Sequence, residues 1–247
     1  MSSVKVLYED NHIIAVVKPA GVLTQPSLHK ATAWQGKGDD ASLMDMVKDY
    51  LREKYKKPGN VFLGLVHRLD KPVQGIVLFG KTSKGAGRLS EQFRNHTIQK
   101  TYHAIVLGKM EQSRGELKEK INKISFFAEG FTNKTDEELL QEIKKATKTR
   151  TAELSWELVK SNDKFSLLKI MPKTGRFHQI RVQMAEMGHP ILGDTKYSKQ
   201  THGLGGGSEW GNKDAIALAA TAIEFKAATG DKIIKLEIPL PFDLSTG

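Results

Sequence analysis

The residues best placed to do chemistry are in the run His67-Arg68-Leu69-Asp70-Lys71-Pro72-Val73-Gln74-Gly75. One carboxylate follows an arginine and a histidine there and precedes a proline-fixed bend. Apolar stretches at 61–66 and 76–79 flank the run and read as buried strands. Asp70 therefore stands where the backbone is rigid and a side chain can still meet a ligand. If a neighbouring cation keeps it ionised, such a carboxylate can act as a base or a nucleophile. The same pattern also fits a plain turn in which Asp70 bonds its own backbone and Pro72 sets the bend.

A second constellation is Thr174-Gly175-Arg176-Phe177-His178-Gln179-Ile180-Arg181-Val182-Gln183, followed by Gly188-His189-Pro190-Ile191-Leu192-Gly193-Asp194. The spacing predicts a helix over 176–187, with Gly188 just past its C-terminus. On that helix His178, Arg181 and Val182 share one face, while Phe177, Ile180 and Met184 share another that packs inward. Arg181 could then meet a carboxylate or a phosphate, or simply form a structural ion pair. His178 and His189 lack a third ligand, so no metal site is expected.

One motif is a decoy. Gly75-Ile76-Val77-Leu78-Phe79-Gly80-Lys81-Thr82 matches the phosphate-loop pattern G-x-x-x-x-G-K-T. A phosphate cradle needs a bent loop whose amides converge, yet the four middle residues are apolar and favour an extended strand. The glycine loop around Gly203, Gly205, Gly206 and Gly207 is weaker still, because no strong apolar strand precedes it.

The elements that must position these groups follow from periodicity and turn residues. Strands are predicted at 4–8 and 12–17, and a helix at 42–55 capped by Ser42. A second helix at 83–94 leads to a long strand at 97–107 that contains Tyr102. Residues 111–150 are polar and read as a peripheral hairpin or insertion within a single domain, 1–247. Strands at 151–159 and 165–171 pair around Asn162-Asp163, and two more close the chain at 215–225 and 232–238.

Composition narrows the function. Hydrophobic content of 39% and charged content of 27% are those of an ordinary globular protein. No apolar run approaches a membrane span and the first residues do not form a signal peptide, so a cytoplasmic protein is expected. The absence of cysteine removes disulfides and thiolate chemistry. Thirty-eight Lys and Arg against 28 Asp and Glu leave a net charge of +10, which favours a polyanionic partner.

Three motifs in order resemble the RluA-type pseudouridine synthases: H-R-L-D with a glycine five residues after the aspartate, K-x-Y-x-A-x-V-x-G from Lys100 to Gly108, and the long motif from Thr174 to Asp194. The likeness also takes in Asp10-Asn11-His12, Lys18-Pro19-Ala20-Gly21 and the closing Pro-Leu-Pro. It implies an α+β fold, with a mixed, mostly antiparallel sheet, flanking helices and a central cleft. It further implies isomerisation of uridine to pseudouridine in structured RNA, ribosomal or transfer, with neither cofactor nor metal. By matched position, Asp70 is the catalytic aspartate, Tyr102 the active-site tyrosine and Arg181 the arginine that pairs with the aspartate. Arg68 is the residue that fills the space left by a flipped base. His67, Arg176, His178 and Gln179 are the further expected base or RNA contacts.

The resemblance is to the form without a leading S4-type domain, since the core begins by Val4. RNA would then be gripped by the catalytic domain itself, with 111–150 and the glycine loop as candidate contacts. Neither DNA nor a membrane is an expected partner, and a monomer is expected. Two positions depart from the family pattern: Val73-Gln74 replaces its usual Thr-Ser, and Ala219 replaces a histidine of its late strand. Both bear on the fine shape of the pocket. The competing reading is a non-catalytic RNA-binding or assembly protein on the same fold.

Overall fold

A computed structural model of the chain describes residues 4–26, 41–121, 150–198 and 215–244. Its centre is a sheet built from β1 (Lys5–Glu9), β2 (Ile13–Lys18), β3 (Gly64–Leu65), β4 (Gln74–Gly80), β5 (Gln99–Leu107), β6 (Arg114–Ile121), β7 (Arg150–Ser161), β8 (Phe165–Pro172), β9 (Leu218–Lys226) and β10 (Ile233–Glu237). Three helices accompany it: α1 (Leu43–Lys54), α2 (Ser83–Arg94) and α3 (Gln179–Glu186). The strand order is β1-β2-β4-β9-β5-β8-β7-β6, with β10 on β9 and β3 on β4. Every pairing is antiparallel except β4 with β9. This is the α+β architecture expected of the family.

Alternation places the core on both faces of the sheet. Ile14 and Val16 of β2 join Val77 and Phe79 of β4 on one face, under Leu43, Val47 and Leu51 of α1. Ile13, Ala15, Ile76 and Leu78 point the other way, toward Leu89 of α2. Strands buried on both faces read as unbroken apolar runs, which is what 13–17 and 76–79 are. Ser42 caps α1 through a reciprocal bond pair with Asp45, as its position ahead of the apolar periodicity predicts.

The structure corrects several boundaries. The strand expected at 61–66 shrinks to Gly64–Leu65: Val61 and Leu63 are buried, but only Gly64 and Leu65 find ladder partners, on Gly80 and Phe79. Of the stretch 111–150, Arg114–Ile121 is a strand of the main sheet, paired along its length with β7 at the sheet edge. Residues 122–149 and the glycine loop lie outside the described residues. The phosphate-loop match is the extended β4, and Lys81 pairs with Glu9 at 2.6 Å while Thr82 caps α2. Among the described residues no helix is long and apolar enough to cross a membrane.

Candidate active site

The turn that bears Asp70 is pinned by the segment following β2. Thr24 Oγ1 donates to the Leu69 carbonyl at 2.8 Å and accepts from the Leu69 amide at 3.2 Å. The Gly21 amide donates to the Lys71 carbonyl at 2.8 Å, and the Val73 amide closes the turn onto the Asp70 carbonyl at 3.1 Å. Beneath it Lys18 is fully buried, and its ammonium donates to the carbonyls of Pro19, Val22 and Lys71 at 3.0, 2.6 and 3.0 Å. On leaving the turn the chain needs Gly75, whose φ is +133° and where a Cβ would sit 2.3 Å from the Ala220 carbonyl oxygen. A side chain there would push β9 away from β4.

Asp70 faces α3 across a small cleft that opens to solvent. Arg181 Nη1 lies 3.3 Å from Asp70 Oδ2, and His178 Nε2 lies 3.4 Å from the same oxygen. Arg181 is held from behind by Asp194, which is almost fully buried: Nε donates to Oδ2 and Nη2 to Oδ1, each at 2.7 Å. His178 Nδ1 is 2.5 Å from the Tyr197 hydroxyl. If that hydroxyl donates, the imidazole proton is on Nε2, toward Asp70. Arg68, Lys100, Tyr102, Thr174 and Arg176 also line the cleft.

Electrostatics in the cleft are balanced rather than neutralised. Burial pushes the Asp70 carboxyl above its usual range, Arg181 and Arg68 pull it down, and Asp194 adds to the rise. Burial and the cations Arg181, Lys196 and Arg68 hold His178 down at about 3, so the ring is neutral. Burial, with the Asp70 charge, raises the Tyr102 hydroxyl, which stays protonated. Burial lowers the Lys100 ammonium. The arrangement offers one carboxylate, a neutral hydroxyl and several cations around a space for a flat polar ring. Among the described residues no cluster of His, Cys, Asp and Glu could hold a metal.

The family model for RNA pseudouridylate synthase matches residues 12–186. The chain belongs to the RNA pseudouridylate synthase family. Relatives include a tRNA pseudouridine synthase C of Vibrio cholerae, 34% identical over 80% of this chain and 75% of that protein. A dual-specificity RNA pseudouridine synthase RluA of the same organism is 32% identical over 79% and 69%. Among solved structures, human RNA pseudouridylate synthase domain containing 4 shares the fold, with a TM-score of 0.70 at 22% identity over 96% of this chain and 88% of that one. Pseudouridine formation in RNA, an isomerisation, is thus the activity of this pseudouridine synthase.

Of the residues expected from sequence, Asp70, Tyr102, Arg181, Arg68, Arg176, His178 and Gln179 line the one cleft. His67 does not: it stacks on Phe93 at 4.6 Å and its Nε2 accepts the Leu78 amide at 2.8 Å. Burial and the Lys100 charge keep its ring neutral, at about 3. It braces the strand behind the turn because successive residues of an extended segment point opposite ways. Gln179 reaches the cleft with its polar atoms committed, accepting from Thr174 and Arg176 and donating to the Glu153 carbonyl. Arg176 donates its Nε to the Thr151 carbonyl at 3.1 Å.

Sequence reasoning gave no role to Lys18, Lys100, Asp194 or Tyr197. Lys100 was findable, because it lies two residues from Tyr102 and so shares its face of the strand. Asp194 closes the long motif, but nothing in the pattern shows its partner, because it meets Arg181 only after the chain turns at Gly188. The two departures from the family pattern prove to be neighbours, since Gln74 and Ala219 are register partners in the single parallel pairing.

Proposed function

We propose that Asp70 is the carboxylate through which this synthase isomerises specific uridines in ribosomal or transfer RNA. In that reaction the bond between ribose C1′ and uracil N1 breaks, the base turns, and C1′ bonds to C5. The C5 hydrogen leaves and N1 takes up a proton. The target must first leave its stack, at a cost of a few kcal/mol, which phosphate contacts to a chain of net charge +10 can offset. Arg68, exposed at the cleft mouth, takes the place vacated by the base. Tyr102 supplies a flat face and a neutral hydroxyl for proton transfer. Arg181 orients Asp70 and favours its ionised form.

The observation that carries this reading is the chain of contacts Asp194–Arg181–Asp70, which aims one incompletely neutralised carboxylate into a cleft lined by Tyr102 and Arg68. The working form we propose is a monomer acting in the cytoplasm, in keeping with RNA as its substrate. Transfer RNA appears in the name of the Vibrio cholerae relative at 34% identity, and the dual-specificity relative is named for RNA without a class. The test is to incubate the protein with unmodified transfer and ribosomal RNA and separate the nucleosides after digestion. Pseudouridine should appear in at least one of the two. Tight binding of both without any pseudouridine would instead support the assembly-protein reading.

A further inference from the structure

Phe177 is the residue that helical periodicity places on a buried face and the structure turns outward. Its neighbour His178 has φ 52° and ψ 23°, a left-handed conformation unfavourable for any side chain with a Cβ. That conformation delays α3 to Gln179 and leaves Phe177 45% exposed, while Ile180 and Met184 remain buried as predicted. The Phe177 ring lies flat on the His178 imidazole, with centroids 3.8 Å apart and planes 17° from parallel. The Arg68 guanidinium carbon is 6.0 Å from the Phe177 centroid. Imidazole and phenyl are thus layered at the mouth of the Asp70 cleft, with the Arg68 cation lying over the phenyl ring. A lone exposed phenylalanine needs no explanation. One that follows from a left-handed residue and is stacked on a cleft side chain invites one.

We propose that Phe177, uncovered as Arg68 moves from over its ring into the space left by the flipped uridine, is the platform on which an unpaired base next to the target uridine stacks. The inference rests on the cleft receiving a flipped uridine. Flipping removes the neighbour's stacking partner, and aromatic or guanidinium planes are what proteins offer to unstacked bases. Every base has a π face, so the platform accepts any neighbour and selects for one that can splay out of a helix. It favours uridines in loops over those within paired stems.

The test reads binding, so that failure of turnover and failure of the platform give different results. Full-length protein in an Asp70→Asn background is titrated at fixed salt with a twelve-nucleotide oligouridylate and with an abasic oligomer of the same backbone. Phe177→Ala should weaken oligouridylate binding about tenfold, as expected for loss of one stacked base, and leave the abasic oligomer unchanged. Phe177→Trp should restore binding. Phe177→Leu, which keeps apolar bulk without a ring, should bind as weakly as the alanine variant. Equal weakening on both oligomers, no weakening on either, or rescue by leucine would overturn the proposal.

Discussion

Arg181 grips Asp194 with Nε and Nη2 at 2.7 Å and reaches Asp70 with Nη1 at 3.3 Å. One guanidinium is therefore shared unequally between two carboxylates. The tighter pair fixes the arginine, and the looser one leaves Asp70 ionisable and available. A bidentate fork of this kind is specific to arginine, because an ammonium cannot grip one carboxylate with two atoms and still reach another.

That division of labour makes Asp194 a positioning residue. Asp194→Asn should lower stability by about 3–5 kcal/mol, the cost of breaking a buried ion pair, and lower kcat by tenfold or more. It should also shift the acid limb of the pH–rate profile downward, since the Asp194 charge raises the Asp70 carboxyl. Melting curves and the pH profile of kcat together check this. A variant that loses stability but keeps its pH profile would confine Asp194 to a structural role.

Asp70 itself should weaken the fold at neutral pH. Its pKa in the folded protein lies above the ordinary 3.8, so its stabilising contribution is complete below that value and is lost as pH rises through the raised one. Asp70→Asn should therefore melt higher than wild type near pH 7, and the gap should close on acidification toward 3.8. Thermal melts of both proteins across that range test the sign.

Lys18 couples the buried core to the reactive turn. Burial brings its ammonium down to about 7 from 10.5, so its contribution is full above 10.5 and falls away as pH drops toward 7. Lys18→Met strands three carbonyls, at about 1–3 kcal/mol for each buried group left unsatisfied. Wild type should exceed this variant in stability by a margin that grows between pH 7 and 10.5. The variant should also lose kcat more than RNA affinity, because the Lys71 carbonyl next to Asp70 is released. Denaturant melts and a comparison of kcat with KM decide both points.

Lys81→Ala separates the phosphate-loop motif from the chemistry. Lys81 is bonded to Glu9 and to the Asp10 carbonyl, and Glu9 is held at about 2, where bonds from Lys54, Lys81 and Tyr55 outweigh its burial. The variant should lose about 1–3 kcal/mol of stability while kcat stays within about twofold. Calorimetry with ATP should show no heat of binding for either protein.

The legible parts of this protein were those set by local pattern. The apolar runs of β2 and β4, the Ser42 cap and the Asp70 turn could be read from spacing, and three motifs gave the family and most of the cleft. What escaped depended on tertiary placement or on one unusual dihedral. Phe177 followed the helical period on paper, and His178 broke that period by adopting a left-handed backbone. His67 stood next to cleft residues in sequence but faced away from them. Thr24 and Lys18 brace Leu69 and Lys71 across 45 and 53 residues, a separation no window of sequence can see.

The most direct test of the account is tritium release from RNA carrying tritium at C5 of uridine, with wild type and Asp70→Asn compared side by side. Rejoining ribose to C5 must expel that hydrogen, so wild type should release tritium in step with pseudouridine. Asp70→Asn should be slower by at least about a hundredfold while still binding the RNA. Equal release by the two proteins would contradict the assignment of Asp70 as the reacting carboxylate.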